Sequence, residues 1–230
     1  MHTQQRSDRS RTAASNHSTS PPVARPDPSA RRTARIVGTL FLAGFLAYGV
    51  GNLIATGVVR SADRSGSTAL FVTGAALMLL NSAFVIGIGV LMRPILRAHD
   101  KAIAEGYLGT RIFEGVVLAI GVVSLSVLTG SAAIHANSVS YNVAEAGLGI
   151  GSLFFCALLF RTGLAPRFLA VWGFIGYACF AGGTLLELFG VAGAGLVGAI
   201  PGGLFELTFG IWLIARGFAS TATVRSHANT

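Results

Sequence analysis

TALFVTGAALMLLNSAFVIGIGVLM, residues 68–92, runs for 25 positions without an Asp, Glu, Lys, Arg or His. A hydrocarbon core about 30 Å thick needs about 20 helical residues to cross it. This stretch is long and apolar enough to span. Outward from it, five more runs have a similar length: Ile36–Val59, a third that begins between Ala102 and Ile112 and ends near Ile134, then Val143–Phe160, Phe168–Phe189 and Leu196–Ala215. None shows the ten-residue alternation of an outer-membrane barrel strand. The expected fold is all-α, a polytopic membrane bundle of about six transmembrane helices in residues 35–219. It lies between an N-terminal segment, 1–34, and a short tail, 220–230.

Composition excludes a water-soluble globule. The 230 residues are 52% apolar and only 11% charged, with a mean hydropathy of +0.66, so lipid is the solvent for most of the chain. The net charge of +8 is not a nucleic-acid footprint, because the arginines collect in the tail and at helix ends rather than on a basic face interleaved with aromatics. Cytoplasmic loops retain an excess of Lys and Arg. Seven arginines precede the first run (Arg6, Arg9, Arg11, Arg25, Arg31, Arg32, Arg35), and Arg93, Arg97, Lys101, Arg161, Arg167, Arg216 and Arg225 mark the later loops and the end on the same side. Of the 17 basic residues only Arg60 and Arg64 fall on the opposite side, with Arg111 near or inside a span. Both termini are therefore expected in the cytoplasm and the membrane is expected to be the cell (inner) membrane. Trp172 and Trp212 fall at the cytoplasmic ends of their runs, where indoles favour the headgroup layer.

The segment before Arg35 is rich in Ser, Thr, Pro and Arg and is expected to be a disordered cytoplasmic tail. Arg31–Arg32 ahead of an apolar run resembles a twin-arginine export signal, but the run is too long for a signal h-region and no A-x-A-like site follows, so a signal anchor is the better reading. Arg93–Tyr107 (RPILRAHDKAIAEGY) reads as an ordinary cytoplasmic loop, with contact to anionic lipid headgroups as the alternative.

Ionisable groups in a membrane are costly, so their depth matters. Arg111 lies ten residues beyond Lys101, and Glu206 ten before Arg216. At ~1.5 Å per residue each sits roughly 15 Å in, provided the third helix starts near Ala102. Asn81 is at a comparable depth, and Glu114 is one turn from Arg111 on the same helix face. Asn81, Arg111, Glu114 and Glu206 are thus expected to form a buried polar cluster in the inner half of the bundle. It either neutralises itself to fix helix packing or binds a headgroup, a solute or a proton. Glu145, Glu187, Asn52 and His135 fall near the outer rim, where charges are solvated.

Catalytic patterns are missing: there is no G-x-S-x-G, H-E-x-x-H or Walker loop. Ser124, Ser126 and Ser152 have no histidine within the spans, and such hydroxyls usually bond a carbonyl of their own helix. His2, His17, His99 and His227 are too scattered for a haem or metal site. Cys156 and Cys179 lack C-x-x-C spacing and read as buried free thiols. No cofactor is implied. Gly147 with Gly151 and Gly198 with Gly202 have the small-xxx-small spacing that lets helices approach, and Pro201 removes one hydrogen bond within the sixth run, where a bend is expected.

Three stretches, Tyr107–Gly115 (YLGTRIFEG), Leu159–Gly176 (LFRTGLAPRFLAVWGFIG) and Phe205–Phe218 (FELTFGIWLIARGF), resemble signatures of a bacterial membrane-protein family, domain of unknown function 4386. The resemblance covers about Ala34 to Ala219. Its R-x-x-E pair is matched by Arg111 and Glu114, and its R-S/T-x-x-x-P-R turn by Arg161, Thr162, Pro166 and Arg167. The Glu ahead of W-L-I-x-K/R-G is matched by Glu206, Trp212 and Arg216. The resemblance implies a six-span inner-membrane protein and assigns no activity. The reading from sequence is an integral plasma-membrane protein, structural or partner-binding, with the lipid bilayer as its partner. The alternative is a small-solute or proton-coupled transporter using the polar cluster.

Overall fold

The computed structural model describes residues 28–61 and 67–218, and every regular element among them is a helix. In chain order these are α1 (Pro28–Ser61), α2 (Thr68–Arg97), α3 (Lys101–Val127), α4 (Gly130–Thr162), α5 (Arg167–Leu188) and α6 (Ala194–Ala215). All six are long and apolar enough to cross a membrane. The chain is a multi-pass membrane protein.

Several boundaries differ from the sequence expectation. Residues 28–34, expected in the tail, belong to α1; residues 1–27, 62–66 and 219–230 lie outside the described residues, Arg64 and Arg225 among them. Helix α2 continues through Pro94 to Arg97, and α3 starts at Lys101. Most of the expected basic loop is thus helical, and only Ala98–Asp100 joins the two helices. Asp100 caps α3 by accepting from the Ile103 N–H at 3.0 Å. Arg93 and Arg97 converge on Glu105, with Arg93 making the short contacts, 2.8–3.1 Å.

The larger correction concerns His135–Asn142, expected as an outer loop. Helix α3 stops at Val127, and α4 starts at Gly130, whose φ of +56° suits glycine. The polar stretch HANSVSYN is therefore helical. Its asparagines find partners inside the bundle: Asn137 donates to the Asn52 side chain on α1 at 3.0 Å, and Asn142 donates to the Ser138 carbonyl one turn back at 3.0 Å. At 33 residues, α4 is about 50 Å long, more than a hydrocarbon core requires, so its polar first turns can lie outside the lipid.

Consecutive helices pack side by side, and α6 returns against α1 to close a ring. Short connections between α2 and α5 force antiparallel neighbours. Glycines set the closest approaches. A Cβ on Gly183 of α5 would lie 2.8 Å from the Gly198 Cα of α6, and one on Gly176 would lie 3.0 Å from the Gly202 Cα. Gly147 and Gly151 instead receive Phe113 and Thr110 of α3. Such contact replaces the hydrophobic drive that lipid does not supply. Helix α6 continues through Pro201.

The interior has two apolar clusters. The larger, including Val37, Phe41, Met92, Phe155, Phe209 and Leu213, fills the end of the bundle that carries the termini. The smaller, Ala55, Val59, Met78, Val122, Leu125 and Ala133, fills the opposite end. Polar residues and a cavity lie between them.

Candidate functional site: a polar cavity within the bundle

Arg111, on α3, is 1% exposed. Its Nη1 donates to Glu114 at 2.9 Å, its Nη2 to Glu206 at 3.1 Å, and its Nε to the Tyr107 hydroxyl at 3.0 Å. Tyr177, on α5, donates to Glu206 at 2.7 Å and accepts a longer bond, 3.4 Å, from Arg111. The guanidinium also lies over Phe41 and Tyr107, 5.1 and 5.3 Å from the ring centroids. Four hydrogen bonds thus tie Arg111 to partners on α3, α5 and α6, and its plane also meets Phe41 of α1. Residues on four helices are tied by one side chain, and the planar fork makes this possible where an ammonium would not. The start of α3 at Lys101 sets Arg111 about 15 Å along the helix, which rules out an interfacial anchor.

Of the four residues singled out from sequence, Arg111, Glu114 and Glu206 meet. Asn81 does not bond to them. It is 6% exposed and lines the same cavity, with no side-chain hydrogen bond among the described residues. Tyr107 and Tyr177 went unnoticed in the sequence. Tyr107 was legible in principle, one turn before Arg111 on the same face, whereas no local signal ties Tyr177 to Glu206.

Glu145 departs most from expectation. Because α4 begins at Gly130, Glu145 lies fifteen residues in, about 22 Å from the helix start, near mid-helix and not at the rim. It is 7% exposed and lines the cavity, and among the described residues it makes neither an ion pair nor a side-chain hydrogen bond. Glu187 also differs from a solvated rim charge: it accepts from the Gly195 N–H at 3.0 Å, in the first turn of α6, where helix amides lack partners. Asn52 bridges to α4, and His135 is exposed.

The cavity has a volume of about 410 Å³. One cation and three carboxylates line it (Arg111; Glu114, Glu145, Glu206), together with Asn81 and the stacked rings of Tyr48 and Tyr141, 5.3 Å between centroids. Its remaining wall is apolar and comes largely from α1 and α6. These two helices meet closely at Gly38 and Gly210, where a Cβ on Gly210 would be 3.1 Å from the Gly38 carbonyl. Farther along, Gly203 meets only the tip of Phe45, and Gly49 faces nothing within 4 Å. The α1–α6 seam is closed at the Gly38–Gly210 end, bridged by the Phe45 ring at Gly203, and loosens toward Gly49.

The family comparison follows this geometry. The sequence profile of Domain of unknown function (DUF4386) matches residues 36–217. The chain belongs to this family. No curated protein and no solved structure matches it. The motifs quoted from sequence for the family occupy defined places: Arg111, Glu114 and Glu206 form the buried knot, while Arg161 and Thr162 end α4 ahead of a Gly163 cap with φ +68°, and Arg167 lies over Phe160 at 5.7 Å. Among the described residues, no group of three His, Cys, Asp or Glu side chains is placed to hold a metal ion. Ser124 and Ser126 bond carbonyls of their own helix, whereas the buried Ser152 hydroxyl has no partner among the described residues. Cys156 is buried, but Cys179, expected inside the bundle, is on the helix exterior.

Proposed function

We propose that this protein is a plasma-membrane solute-binding protein of carrier type, with both termini in the cytoplasm, and that the central cavity is its binding site. The observation that carries this reading is that two residues buried in the bundle, Asn81 and Glu145, line one cavity and among the described residues make no side-chain hydrogen bond or ion pair. A structural polar cluster satisfies its members, since an unpaired polar group in a membrane interior is costly. Arg111, Glu114 and Glu206 behave that way and are read as the clamp that holds the bundle around the cavity. Asn81 and Glu145 do not. Their cost is accounted for when a solute supplies the missing partners. The cytoplasmic placement of the ends rests on the bias of Lys and Arg between loops.

Thermal unfolding of Asn81→Leu and Glu145→Gln separates the readings. Residues kept for ligand contact leave stability unchanged or raise it when replaced by less polar groups of similar size. Melting temperatures equal to or above wild type support a site; a loss of several degrees in both variants refutes it and returns the cavity to a packing role.

A further inference from the structure

Resting on the solute-site reading, we infer that the cavity takes an organic ammonium ion with an apolar body, with Glu145 as its counter-charge and Tyr48 and Tyr141 as its aromatic wall. Charge comes first. The cavity is lined by three carboxylates and one guanidinium, and that guanidinium is already engaged by Glu114 and Glu206. Glu145 lies within electrostatic reach of both other carboxylates as well as of Arg111, but among the described residues it makes no ion pair, the guanidinium being bonded to Glu114 and Glu206 instead. A solute that brings one positive charge meets an unmet need; an anion meets three carboxylates.

The kind of cation follows from the walls. A metal ion needs several oxygen ligands converging at short range, and the acids here are not so grouped. An alkylammonium needs one carboxylate and aromatic faces, which attract it through their quadrupoles. The stacked Tyr48 and Tyr141 rings belong to the same lining as Glu145, and Phe41, Phe45 and Phe180 continue it. Asn81, on α2, offers an amide oxygen; a Cβ on Gly44 would lie 2.8 Å from that atom, so the absence of a side chain at Gly44 leaves room for the amide.

The apolar body follows from the opening. Beyond the Gly38–Gly210 contact the cavity borders the α1–α6 seam, and the flanking Leu46, Val50, Leu196, Ile200 and Leu204 are exposed on the bundle surface. An amphiphilic amine concentrated at the lipid interface reaches the carboxylate through this gap without crossing the larger apolar cluster.

The test uses the full chain in lipid nanodiscs and two probes of one shape: benzyltrimethylammonium, and neopentylbenzene, in which carbon replaces the cationic nitrogen. Equilibrium dialysis against empty nanodiscs measures each, for wild type, Glu145→Gln and Gly49→Trp, the last to obstruct the seam. The inference expects saturable binding of the cation, weakened at least about tenfold by Glu145→Gln and reduced by Gly49→Trp, with no saturable binding of the hydrocarbon. Equal binding of both probes, or unchanged cation affinity in Glu145→Gln, overturns it while leaving a solute site in place. Failure of both probes to bind also overturns it. If cysteines at 81 and 145 are then closed to water, the solute-site reading fails with it.

Discussion

Replacing Arg111 with Met is the sharpest single perturbation of this bundle. The side chain retains length and apolar bulk, but Glu114 and Glu206 lose their cation together, and Tyr107 loses its donor. Breaking a buried ion pair by removing one partner costs about 3–5 kcal/mol. Neutral side-chain hydrogen bonds between membrane helices contribute only ~0.6 kcal/mol on average, so the carboxylates dominate. Tyr177 still donates to Glu206 at 2.7 Å, which keeps part of that charge solvated. We expect a loss of about 4 kcal/mol, measured by SDS titration of the folded protein in mixed micelles. A loss below about 1 kcal/mol would refute the clamp. The triple variant Arg111→Met, Glu114→Leu, Glu206→Leu removes cation and anions together and is expected to recover most of the loss, because neutral packing in place of a buried ion network is often no worse. If the triple variant is as unstable as the single one, the guanidinium acts by packing on Phe41 and Tyr107 and not by neutralising carboxylates.

Tyr177→Phe deletes one hydroxyl bonded to Glu206 and is expected to cost about 1 kcal/mol in the same titration, far less than Arg111→Met. Gly183→Leu drives a side chain into the α6 backbone at Gly198 and is expected to abolish the monodisperse peak in size-exclusion chromatography, whereas Gly182→Leu, with nothing within 4 Å, is expected to leave it intact. A green fluorescent protein fused after Thr230 is expected to fluoresce in cells, as it does on the cytoplasmic side. A dark, stable fusion would reverse the assigned orientation.

The number of spans was legible because apolar length alone determines it, and α2, α5 and α6 needed little more. The α3–α4 boundary was not. Asn137 and Asn142 lower the local hydropathy and imitate a loop, but in three dimensions each finds a partner, and a hydrogen-bonded polar side chain no longer favours leaving the helix. That single displacement of a helix start moved Glu145 from a solvated rim to the middle of the protein. The cluster of Arg111, Glu114 and Glu206 was legible because depth counted along two helices from basic end-markers converges when both helices run straight from those ends. Helix rotation was not available from such a count. Asn81 shares their depth and lines the same cavity but does not bond to them, and Tyr177 joins them where Gly176 lets α5 approach α6 closely.

Water access at residue 145 tests the central claim most directly. In a Cys156→Ser, Cys179→Ser background, single cysteines at positions 81 and 145 are exposed to a membrane-impermeant thiol reagent from each side of sealed vesicles, with a cysteine at position 114, where the native glutamate is ion-paired with Arg111 and 3% exposed, for comparison. The account predicts labelling at 81 and 145 from at least one side and slower labelling at 114. Protection of both 81 and 145 in a folded protein would mean a dry cavity with no route for a solute, and would contradict it.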